Sequence, residues 1–174
     1  MTTSLTTLLT AAALALPSIA TAAPLPEPVQ QLEWMVGTWK ATGTVTMGPD
    51  SFKVAATWSC KRVSAKLGVL CSMKVTGVPG VASYEETHLF GYEPNSKTYH
   101  WFAVTMTGET HDHVAQLPTG NTLQWTYTGT QDGKPLKETI SMELSGAKKN
   151  ALALRSETTI GGVSTVVLEM KARR

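Results

Sequence analysis

From Thr38 onward the chain is a series of short runs in which apolar and polar residues alternate, and turn residues interrupt these runs at regular intervals. The interruptions are Gly48-Pro49-Asp50, Ser64 to Leu67, Gly77-Val78-Pro79-Gly80, Glu93-Pro94-Asn95-Ser96, Thr107-Gly108, Pro118-Thr119-Gly120-Asn121, Gln131-Asp132-Gly133-Lys134, Ser145-Gly146-Ala147 and Gly161-Gly162. Asp132-Gly133 and Gly161-Gly162 are two-residue hairpin signals, because both central positions tolerate positive φ. Nine turns imply about ten strands of roughly ten residues each. Connections this short join only antiparallel neighbours. Leu123, Trp125 and Tyr127 alternate with Thr122, Gln124, Thr126 and Thr128, so each strand is dry on one side and wet on the other. A meander of ten such strands exposes two unpaired edges unless it closes. The expected fold class is therefore all-β, an up-and-down antiparallel barrel of about ten strands.

The length of 174 residues suits one domain. Residues 1–22 carry no charged side chain; an apolar stretch from Leu8 to Ala15 is broken by Pro17 and followed by Ala20-Thr21-Ala22. This is the layout of a secretory signal peptide, except that no Lys or Arg precedes the apolar run. It implies a periplasmic or secreted protein with cleavage after Ala22. Residues 23–28 form a proline-rich lead-in, and residues 29–174 the barrel domain. Within the latter, Val29, Leu32, Met35 and Val36 share one helical face, and Gly37 ends the segment, predicting a short helix over residues 29–37.

The net charge is +2, with both signs interleaved from Glu27 to Arg174. That balance argues against nucleic acid or an anionic membrane surface as partner. No segment has the length and composition of a membrane-spanning helix. The oligomeric state is not legible in the sequence. Cys60 and Cys71 are the two cysteines. A turn at Ser64 to Leu67 pairs them directly, together with Trp58 opposite Met73 and Arg62 opposite Val69. Directly opposed antiparallel residues lie within disulfide reach, and an exported chain permits the bond.

Leu32-Glu33-Trp34-Met35-Val36-Gly37-Thr38-Trp39 places a helix before Gly-x-Trp at the start of the first strand. This resembles the calycin superfamily, the lipocalins and fatty-acid-binding proteins. Its particular form looks more like nitrobindin and like an uncharacterised bacterial family filed as a domain of unknown function. The latter also resembles this chain at Phe90-Gly91-Tyr92-Glu93-Pro94. The resemblance implies that Trp39 plugs the barrel floor beneath an arginine from the last strand, Arg173 or Arg174. Nitrobindin-like proteins hold haem through a histidine in the last strand. Val163 to Arg174 contains none, so haem is disfavoured and no cofactor is expected.

Polar residues on apolar faces are the remaining signal. Glu138 falls in register with Leu136, Ile140 and Met142, and His88 with Tyr84, Glu86, Phe90 and Tyr92. Buried polar groups need partners, which inside a barrel are water, one another or a ligand. Glu109, His111 and His113 share a strand face and are the candidate metal set, although a solvated strand end is the expected reading and no metal is assigned. Trp58, His88, His100, Phe102, Trp125, Tyr127 and Glu138 are the candidate ligand-binding residues of a largely apolar cavity. The expected function is binding of a small apolar molecule. The alternatives are an enzyme using His88 or His100 with Glu138 for acid–base chemistry, and a cell-envelope interaction module without a small ligand.

Overall fold

The computed structural model describes residues 24–116, 118, 120–146 and 149–174. The leader peptide expected at residues 1–22 lies outside them. Ten strands follow one another as a meander: β1 Gly37–Met47, β2 Asp50–Val63, β3 Gly68–Thr76, β4 Tyr84–Glu93, β5 Thr98–Thr105, β6 Thr110–Ala115, β7 Thr122–Gln131, β8 Lys134–Ser145, β9 Ala151–Ile160 and β10 Val163–Arg173. Each pairs antiparallel with its sequence neighbours, and β1 pairs with β10, from Lys40 opposite Arg173 to Met47 opposite Val166. The sheet is thereby a closed barrel. Closure gives both terminal strands the backbone partners an open meander would lack. No helix among the described residues is long and apolar enough to cross a membrane.

The helix expected over residues 29–37 is instead two short pieces. The first is an α-helical turn, α1, at Glu27–Gln30, and the second a 3₁₀ turn at Glu33–Met35. Amide-to-carbonyl bonds from Met35 to Leu32 and from Val36 to Glu33 tighten the second piece. This tightening turns Leu32 and Met35 onto the barrel end, where both are buried. Part of the supposed lead-in, Glu27 and Pro28, is therefore helical.

Cys60 and Cys71 form a disulfide between directly opposed residues of β2 and β3, with Trp58 opposite Met73 and Arg62 opposite Val69. The register follows from the turn position. The bond closes a loop with a sequence separation of 11. A loop of that size restricts the unfolded chain by about 3 kcal/mol at most. It also pins a hairpin whose turn residues Ser64, Ala65 and Lys66 all have positive φ, a conformation that costs L-residues roughly 1–2 kcal/mol each. A disulfide accords with an oxidising compartment.

Candidate functional site

Inward-facing side chains divide the barrel interior into two halves. At the end covered by α1 and the 3₁₀ turn, Leu32, Trp39, Val69, Tyr99 and Trp125 are at most 2% exposed. Trp39 Nε1 donates to the Met35 carbonyl at 3.2 Å, which satisfies its indole within the floor. Arg174, not Arg173, lies over the Trp39 ring at 5.3 Å. Its guanidinium also donates to the carbonyls of Trp34 and Val36 at 3.3 and 2.8 Å. Arg173 is exposed. The floor is a packed plug of rings: Phe90, Trp101 and Trp125 meet pairwise at centroid separations of 5.1 to 5.7 Å. A space of about 30 Å³ remains between Trp39, Trp58, His88 and Trp101, room for about one water. Trp58 borders that space, whereas Trp125 is fully enclosed.

The far half is different. There Phe52, Met73, Tyr84, Glu86, His111, Tyr127, Glu138, Thr158, Val166 and Leu168 keep partial exposure although their strand positions face inward. These positions line the far end of the barrel, termed the cup here, in two unlike groups. Phe52 comes from β2, Met73 from β3, and Val166 and Leu168 from β10; all four pack against the apolar core. Tyr84, Glu86, His111, Tyr127, Glu138 and Thr158 come from β4 to β9, opposite.

The polar wall is internally bonded. His111 Nδ1 and His113 Nε2 both meet Glu138 Oε2, at 2.9 and 2.8 Å. Thr158 donates its hydroxyl to Glu138 Oε1 at 3.3 Å. The ring of Tyr127 stacks on His111 at 4.3 Å and 10°. Separately, His88 Nε2 meets Glu86 Oε2 at 2.7 Å, with the Trp101 ring between His88 and His113 at 4.9 and 5.0 Å. Burial raises the Tyr84 phenol well above its usual range, and the neighbouring Glu86 carboxylate, by charge and hydrogen bond, raises it further. Trp101 Nε1, His113 Nδ1 and Trp125 Nε1 are buried with no hydrogen-bond partner among the described residues.

Burial pushes the Glu138 carboxyl up. The hydrogen bond from His113, the charge of His111 and the further pull of both imidazoles outweigh it, so the group ends below its ordinary value. A carboxyl with a folded-state pKa below its unfolded one stabilises the fold above the unfolded pKa of about 4.3. That contribution is lost as pH falls through the folded value. Glu138→Gln should therefore destabilise the protein at pH near 6, on the order of 1–3 kcal/mol, and the gap to the wild type should shrink at pH near 3. Urea denaturation of both proteins at the two pH values measures this. An equal gap at both would contradict it.

Two expected residues face the other way. His100 lies on the outer face of β5, where it contacts both carboxylate oxygens of Asp112 at 3.1 Å. Phe102 is 43% exposed beside Leu89 and Val104, on an outward apolar strip. Neither lines the interior, so the pairing of His100 with Glu138 is absent. Glu109 is also not part of the histidine cluster; its carboxylate accepts the Thr107 hydroxyl at 3.2 Å. Glu138 takes the place expected for it, because alternation puts Glu138 inward two strands away. His88, Tyr127 and Glu138 do point into the barrel.

The barrel architecture is similar to that of solved structures. Rv2717c from M. tuberculosis superposes with a TM-score of 0.64 at 15% identity, over 87% of this chain and 99% of that one. The S-type phycobiliprotein lyase CPES from Guillardia theta gives a TM-score of 0.52 at 10% identity, over 83% and 91%. The fold is calycin-like. At these identities the likeness is one of architecture only. No protein-family model and no curated protein matches the sequence. Within this calycin-like barrel the last strand turns Val166, Leu168, Met170 and Ala172 inward and offers no imidazole. A haem held from that strand does not fit these residues.

Proposed function

We propose that this protein binds a small, largely apolar molecule with a polar end, held in the cup opposite the floor. The observation that carries the reading is the division of inward-facing residues. The floor half is closely packed around one water-sized space, whereas the cup half keeps part-exposed side chains with apolar groups on one wall and ionisable groups on the other. Such a site suits an amphipathic ligand, because the apolar wall gains by losing contact with water and the polar wall fixes orientation. The reading modifies the expectation of a deep apolar cavity: the tryptophans at the centre support the cup from below.

Titration of the purified protein with the anionic, apolar fluorophore 1-anilinonaphthalene-8-sulfonate tests the proposal. Saturable binding of one molecule per chain is expected. Phe52→Ser, on the apolar wall, should weaken it about tenfold, on the order of 1.4 kcal/mol. Phe102→Ser, on the outer surface, should leave it unchanged. Absence of saturable binding, or loss with Phe102→Ser alone, would refute a site in the cup.

A further inference from the structure

The polar wall holds an arrangement that an apolar-ligand site does not require. We infer that His111, His113 and Glu138 form a three-ligand site for a divalent transition metal of the zinc class, with a coordination position open to the cup. The inference deepens the cup reading by placing an electrophile on its polar wall.

The geometry comes from β6, β7 and β8. His111 and His113 are two residues apart on β6, so strand alternation puts both imidazoles on the inner face. Glu138 is on β8, directly opposite Tyr127 of β7. A residue two strands from the histidines would ordinarily be out of reach. Here the β6–β7 ladder registers only Val114 with Thr126 and Ala115 with Trp125. Beyond those pairs the two strands diverge, at the level of the site. The Glu138 carboxylate nonetheless meets both imidazoles. Side chains, not backbone bonds, span that seam.

The ligand atoms already converge. The donor atoms of the three residues lie within 4.8 Å of one another. Zinc binds imidazole nitrogen and carboxylate oxygen at about 2.0–2.2 Å, so two donors sharing one ion are separated by roughly 3–4 Å. Opening the present nitrogen–oxygen contacts of 2.8 and 2.9 Å by a few tenths of an ångström admits the ion. The chemistry of the set agrees: two imidazoles and one carboxylate are the ligands of open, reactive sites rather than closed structural ones. Thr158 holds the second carboxylate oxygen, and Tyr127 stacks on His111 and fixes its ring. Such outer partners orient metal ligands. An oxygen of water, or the polar end of a molecule in the cup, would complete the coordination.

The test uses the full, untagged chain, stripped with a chelator and titrated with cobalt(II) chloride alone. One equivalent should bind with visible ligand-field bands, and zinc chloride should displace it. Zinc at about a hundred times its dissociation constant should raise the melting temperature by about 5–10 °C, since it would staple the open β6–β7 seam. His111→Ala and Glu138→Gln should each weaken binding about a hundredfold or more; His100→Ala should not change it. X-ray absorption of the zinc-loaded wild type, which does not depend on any variant folding, should show two imidazoles and no sulfur. No stoichiometric binding, fewer than two imidazoles, or full-strength binding in folded His111→Ala and Glu138→Gln would overturn the site. The fluorophore titration, performed on metal-free protein, reports the cup independently, so either idea can fail alone.

Discussion

Replacing Trp39 by alanine should cost about 3–5 kcal/mol, the range for removing a buried large aromatic side chain. The side chain is 2% exposed. Its loss opens a void in the floor and leaves the Met35 carbonyl without the indole donor. It also removes the surface on which Arg174 stacks and the edge-on neighbour of Trp34, 6.1 Å away. A domain of this size holds only about 5–15 kcal/mol in total, so thermal unfolding should begin roughly 6–20 °C earlier. Trp39→Phe should retain much of the packing and lose mainly the hydrogen bond. A shift of less than a degree or two for Trp39→Ala would show that the floor is held by something other than this ring.

Gly43→Val should be about as damaging, for a different reason. Gly43 has an ordinary strand φ, so freedom of rotation is not the issue. A Cβ at this position would collide with the Glu169 carbonyl oxygen and crowd the Glu169 carbonyl carbon and Met170 Cα at 2.8 Å. All three are backbone atoms of β10 and cannot swing away. Gly43 therefore sets how closely the first and last strands approach where the barrel closes. Even Gly43→Ala should cost several kcal/mol, on the order of the largest single-site effects, and valine more. Urea denaturation is the measurement. Near-neutral substitution would mean that β1 and β10 can separate there without penalty.

Most of the architecture is legible because turn chemistry is local. Each turn cluster falls between two observed strands, and the Ser64 to Leu67 turn suffices to pair Cys60 with Cys71. Which face points inward is legible only where one face is clearly polar. In β5 it is not: Tyr99, Trp101 and Ala103 alternate with His100, Phe102 and Val104, and both sets contain apolar residues. The inward set is fixed by packing against β4 and β7, which alternation within β5 cannot report. Arg173 and Arg174 stay undecided in the sequence for a related reason. The register of β10 slips between Ser164 and Val166, so counting from the Gly161-Gly162 turn reverses the faces.

The convergence of His111, His113 and Glu138 was the least legible feature. Each residue's inward face follows from alternation. Their meeting depends on the divergence of β6 from β7, and no local pattern encodes where a ladder stops. Trp125, expected to line a cavity but enclosed against Trp101, illustrates the opposite error. Aromatic residues on an inner face suggest a cavity lining, but they meet one another and fill the space.

The pairing of β1 with β10 joins the beginning and the end of the barrel. Every other strand pair can form from a hairpin, whereas this one must bring together segments separated by nearly the whole domain. Contacts of that separation carry the largest loop-closure entropy and are expected to form late. Until they do, the growing sheet ends in two bare edges, β1 on one side and β9 or β10 on the other, each able to pair with a second molecule. The final register also requires the narrow gap at Gly43. Aggregation during refolding should therefore depend on how fast the last seam closes, and should be more sensitive to protein concentration than the stability of the finished barrel is.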